Sequence, residues 1–227
     1  MQFNGFTQET SDVLWDLAFH NERPWFMEHR EQFLRVLKEP FDALGRETLE
    51  LMRQKYPDWP LQLHISRIYR DARRLFGRGP YKDHLWFTIW SGVEKRDSPA
   101  FWFEISASGY EYGGGFFDAL PEEMEAYRAY IRENPEEVSR LMRRINRLEE
   151  FHLVGPDYKR PKGDVGELLN PWYNKKWVGV SAAFDFGGDV LKPELPAILA
   201  EKYEELMPLY LFLRQFRREE QENFSDR

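Results

Sequence analysis

At 227 residues, 42% of them hydrophobic and 31% charged, the chain has the balance of a folded globular protein able to bury a sizeable core. The absence of cysteine excludes a disulfide scaffold, thiol catalysis and thiolate metal sites, and it suits a reducing cytoplasm. A net charge of −7 argues against a general nucleic-acid binder, and no apolar run approaches the roughly 18 residues of a membrane span.

The start, MQFNGFTQET, lacks the basic-then-apolar order of a secretory leader. Thr7 can cap a helix running to about His20, with Val13, Leu14, Leu17 and Ala18 as its apolar stripe. Asn21 is positioned as the next cap, with Pro24 in the first turn, and a second helix runs to about Lys38. Glu39-Pro40 should break or kink it before a third helix from Phe41 to about Lys55.

The pattern then changes period. Leu63 to Arg70 reads as a strand, with Ile65, Arg67 and Tyr69 on one face and Ser66, Ile68 and Arg70 on the other. Arg73 to Pro80 is a loop. His84 to Ser91 is a strand with Leu85, Phe87 and Ile89 on one side and Trp86 and Trp90 on the other, so it should be central. Ala100 to Ser106 and Tyr110 to Gly114 form a hairpin with it, giving an antiparallel sheet. Gly113-Gly114-Gly115 would let the backbone bend or approach another group closely, or cradle an anion with its amides, the plain turn being the simpler reading.

Pro121 opens a helix to about Glu133, and Asn134-Pro135 starts another to about Arg147. Tyr158 to Gly163 is a basic loop, Leu168 to Pro171 a single helical turn, and Lys175 to Phe186 a fifth strand. Pro193 to Met207 is helical, and Pro208 kinks that helix or begins another. The expectation is one α+β domain over 1–227, a mainly antiparallel sheet of about five strands packed against N-terminal, middle and C-terminal helices. Its parts are helices over 1–56, the sheet core over 63–115, a helical pair over 121–147, a loop and strand over 158–186 and terminal helices over 193–222.

One stretch departs from the acidic background. Between His64 and His84 stand six Lys and Arg (Arg67, Arg70, Arg73, Arg74, Arg78, Lys82) against Asp71 and Asp83, a local +4 that leaves −11 elsewhere. Guanidinium suits two-pronged pairing with carboxylate or phosphate, and it cannot be buried without a partner. The partners are either internal, such as Glu104, Glu111 or Asp118, or supplied by a bound anion. Lys82 and His84, two residues apart on a strand, share a face, and both could serve an anion pocket in which a proton moves. They are the candidates for catalysis, although packing beside aromatics accounts for a lone histidine as well. The five histidines are scattered, no metal-ligand spacing occurs, and no nucleotide loop, nucleophile elbow or cofactor motif is present. Nothing in the pattern sets an oligomeric state.

Arg67-Ile68-Tyr69-Arg70-Asp71-Ala72-Arg73 with Gly79-Pro80-Tyr81-Lys82-Asp83-His84 resembles the signature RIYRDxRFxxxKxPYKxH of an uncharacterised bacterial conserved family, a domain of unknown function. Asn21 to Phe26 is similar to its NNREWF element, and Pro161-Lys162-Gly163, Leu168-Leu169 and Lys175 to its C-terminal block. Gly113 to Gly115 and Arg128 resemble its glycine turn and helix arginine. Arg74 stands where the pattern has Phe, and Arg78-Gly79 where it has Asp-Lys. The resemblance implies that Arg67, Arg70, Asp71, Arg73, Tyr81, Lys82, Arg128, Lys162 and Lys175 form one set. With Asp71 set aside as a counter-charge, the others are the candidate ligand-binding residues.

Three readings follow: a pocket for a small anion (phosphate ester, nucleotide or carboxylate), with no cofactor; a non-catalytic interaction module whose arginines tie helices to the sheet; and binding of single-stranded nucleic acid through the arginines and tryptophans, which the net acidity disfavours.

Overall fold

The computed structural model describes residues 2–71, 73, 79–92, 99–117 and 119–217. It is an α+β fold around one six-stranded antiparallel sheet. In chain order the elements are α1 (Gln8–Phe19), α2 (Arg23–Phe33), a π-helical turn (Leu34–Lys38), α3 (Glu39–Lys55), β1 (Leu61–Ile65), β2 (His84–Ser91), β3 (Ala100–Ser106), β4 (Gly109–Phe116), α4 (Pro121–Glu133), α5 (Pro135–Ile145), β5 (His152–Val154), α6 (Asn170–Tyr173), β6 (Val178–Asp185), a 3-10 turn (Gly188–Leu191), α7 (Leu195–Glu205) and α8 (Met207–Arg214). The sheet order is β1-β2-β3-β4-β6-β5.

Of the break or kink expected at Glu39-Pro40, the break does not occur. The chain stays helical from α2 into α3 by widening one turn to π geometry, in which the Glu39 N–H donates to Leu34 O. Pro40 has no N–H to give to Val36 O, and that carbonyl is satisfied from outside the helix: the buried Thr10 hydroxyl of α1 donates to it at 2.7 Å.

Strand alternation then sorts the sheet into two faces. One face is the core. Leu85, Phe87 and Ile89 of β2 pair with Ile105, Phe103 and Phe101 of β3, all fully buried, and Tyr112 and Ala182 continue the layer through β4 and β6. Phe41 of α3 sits against Phe87 and Phe103, and Tyr203 of α7 and Tyr210 of α8 stack on Phe101. The other face is more open: Gln62 and His64 are exposed, and His84, Trp86, Thr88, Glu104, Ser106 and Glu111 are half-buried. β2 is therefore central, but it is fully covered on one side only.

The glycine run is not a turn. Gly113 and Gly115 face the open side within β4, where the Trp102 indole and the β6 backbone occupy the space a side chain would need. A Cβ at Gly113 would stand 2.0 Å from Val180 O and 2.5 Å from Trp102 Cζ2. β5, three residues long, has no counterpart among the expected strands. Among the described residues no helix is long and apolar enough to cross a membrane, and no group of His, Cys, Asp and Glu is placed to hold a metal ion.

Candidate functional site

The strand expected over 63–70 ends at Ile65, and the reason shapes the site. β1 pairs with β2 in a register that puts Ile65 opposite Phe87, and the Ser66 N–H still donates to Trp86 O. Pairing resumes at the Tyr69–Tyr81 bridge, with Lys82 N donating to Ile68 O and Arg70 N to Pro80 O. Only residues 67 and 68 lie between these pairs on one side, against 82 to 85 on the other. The extra residues bulge, and a bulge re-aims side chains. Arg67 and Arg70, which strict alternation would place on opposite faces, line one cleft with His64, Ser66, Tyr69, Asp71, Lys82, His84 and Trp86; its volume is about 470 Å³.

The bulge is held by a residue expected only to cap a helix. The Asn21 side chain donates through Nδ2 to Tyr81 O and accepts from Tyr81 N, both at 2.9 Å, while Glu22 takes the cap position of α2. Gly79 lies so close that a Cβ there would be 2.2 Å from Asn21 Oδ1. This joins the Asn21–Phe26 element to the Gly79–His84 element. Proximity in space was the missing signal, since the two lie about 60 residues apart. Tyr81 itself is a core residue, 2% exposed and stacked on Phe26 with centroids 4.1 Å apart, and burial pushes its phenol up. Its side chain does not line the cleft.

The cleft's charges are unevenly matched. Arg70 donates through Nε to Tyr81 O at 2.6 Å and through Nη2 to Asp83 at 3.1 Å. The same Asp83 Oδ1 is 3.0 Å from His84 Nδ1, so one carboxylate serves two partners. Burial works to raise that carboxyl, but its own backbone hydrogen bond, His84 and Arg70 hold it below its ordinary value. Arg73 is spent on Asp71 at 2.7 Å, remains 89% exposed and does not line the cleft. Arg67 and Lys82 make no ion pair among the described residues. The Lys82 ammonium lies 5.6 Å from the Trp86 ring centre; burial, and then Arg70, push it below the usual lysine range.

Glu104 and Glu111, considered above as internal partners for the arginines, pair with none of them among the described residues. They stand directly opposite each other across β3 and β4, one strand over from Trp86, and Ser181 donates to Glu111 at 3.3 Å. Burial raises the Glu104 carboxyl, Glu111 and Asp83 adding to the effect against His84 and Lys82. Both glutamates line a second hollow of about 640 Å³. Asp118 lies outside the described residues, as do Arg74 and Arg78.

The remaining candidates do not join this cleft. Arg128 on α4 and Lys162 stand over the Tyr158 ring, and Lys175 pairs with the neighbouring Asp157 at 3.0 Å. The structure therefore divides the expected set in two, with Arg67, Arg70, Lys82 and His84 in one place and Arg128, Lys162 and Lys175 in another.

A one-sheet α+β fold with a cationic cleft at a bulged sheet edge defines the class. Residues 9–212 match the model of the conserved hypothetical protein family DUF2461, and the chain belongs to that family. No curated protein matches it.

Proposed function

We propose that the cleft between the ends of β1 and β2 binds a small anionic ligand, a phosphate ester, a nucleotide or a carboxylate. One observation carries this reading: among the described residues Arg67 and Lys82 face the cleft with no ion pair, while Arg70 shares the Asp83 carboxylate with His84. Unmatched cations beside half-buried aromatics favour an incoming negative charge. His84 is the group equipped to move a proton, because Asp83 fixes Nδ1 and Nε2 has no partner among the described residues. The lack of cysteine fits a reducing compartment such as the cytoplasm.

A structural role is favoured for one member: Arg73 is held by Asp71, two residues away, and is not counted among the ligand's contacts.

The test is a thermal-shift series with phosphate, nucleotides and dicarboxylates on the wild type and on Lys82→Met. A ligand at 100 times its dissociation constant adds about 2.7 kcal/mol, on the order of 5–10 °C for a chain of this size. Lys82→Met should melt no lower than the wild type without ligand, since burial already disfavours its charge, and should lose the part of the shift that the cleft contributes. Equal responses from wild type and variant across the series would end this reading.

A further inference from the structure

The second group of cations has its own unexplained charge. Arg128 is 3% exposed, yet its only hydrogen bond among the described residues runs from Nε to Glu125 at 3.2 Å. Its Nη1 is buried without an acceptor among the described residues. Glu125 is a weak counter-charge: its side chain is 59% exposed and is shared with Arg132 at 3.4 Å. A guanidinium nitrogen buried without an acceptor is costly, and a buried ion pair can commonly be replaced by apolar groups without loss. Stability therefore does not account for this residue.

Its surroundings supply a reason. The Tyr158 ring lies 5.5 Å from Arg128 Cζ, and Lys162 Nζ lies 4.5 Å from the same ring. The segment carrying both is pinned: Tyr158 N donates to Asn174 O at 3.1 Å and Lys162 N to Asn174 Oδ1 at 2.6 Å. An exposed loop lysine is thus held against the ring that the buried arginine touches.

We infer that Arg128 and Lys162 form a second oxyanion site, separate from the cleft, for a carboxylate or phosphate group. Arg128 Nη1, which has no acceptor among the described residues, donates to an oxygen of the ligand, Lys162 adds a second positive charge, and Tyr158 forms a wall. Lys175, already paired with Asp157, is outside it.

The experiment uses the full chain carrying Lys82→Met, which silences the cleft without touching this site. Isothermal titration with inorganic phosphate, and separately with succinate, should show binding in that background. Adding Arg128→Met should abolish it, and adding Lys162→Met should weaken it roughly tenfold or more, as removal of a charge-assisted hydrogen bond does. Tighter binding of phosphate or of succinate assigns the group. Lys162 is exposed, so its variant folds normally and decides the matter if Arg128→Met does not fold. No binding of either probe in the Lys82→Met background, or undiminished binding after loss of Lys162, overturns the inference. Because the cleft is silenced throughout, neither result bears on the ligand proposed there.

Discussion

The two faces of the sheet come from the same strands and alternate residues, yet they differ in how completely they satisfy themselves. On the covered face Phe87, Phe101 and Phe103 are fully buried and meet aromatic rings from α3, α7 and α8. On the open face Trp86, Glu104 and Glu111 stand in a row across three strands, beside Arg67 and Lys82, which make no ion pair among the described residues. Stability is concentrated on one side and uncommitted charge on the other. Alteration of the first should cost folding; alteration of the second should change what the protein responds to.

The largest effect expected is from Phe103→Ala, which should cost about 3–5 kcal/mol through lost transfer energy and a residual cavity. Urea unfolding measures it, and a loss below about 1 kcal/mol would contradict the contrast between the faces. Asn21→Ala lies at the boundary. It leaves the Tyr81 N–H without its acceptor and Tyr81 O with the Arg70 Nε donor alone, so a loss of about 1–3 kcal/mol is expected, together with faster hydrogen exchange at the Tyr81 amide and a weaker anion response. A normal response would show that the bulge holds its shape without the clamp.

Glu104→Gln sharpens the comparison with the smallest change. Burial raises the native carboxyl above its unfolded value, so the folded state keeps its proton to higher pH. Stability from this group is full below the unfolded carboxyl range and falls as pH rises to the native value. The variant should lack that fall and be more stable than the wild type near neutrality by less than about 1 kcal/mol, the scale of opposed like charges on neighbouring strands. Parallel pH–stability curves for the two proteins would remove Glu104 from the account.

Local pattern made much of this legible. The bounds expected for the strands at 84–91 and 100–106 and for the helix at 121–133 are those observed, because alternation, an aromatic run and an N-terminal proline are signals confined to a few residues. What escaped depends on neighbours distant in sequence. The two-residue slip between β1 and β2 puts Arg67 and Arg70 in one cleft, and nothing in residues 63–70 announces it. The glycines at 113 and 115 look like a turn until the Trp102 indole is known to lie across the strand. The three residues of β5 are too few to show alternation. The separation of Arg128 and Lys162 from the cleft required the order of strands.

The π turn before Pro40 ties two helices together in a way that constrains how the chain can change. The proline leaves Val36 O without its usual donor, and a hydroxyl from α1 fills the vacancy. Exchanging Thr10 first would strand a buried carbonyl, whereas giving position 40 an amide beforehand would make that hydroxyl dispensable. The same two substitutions are thus tolerable in one order and damaging in the other, an epistatic dependence written into a single hydrogen bond.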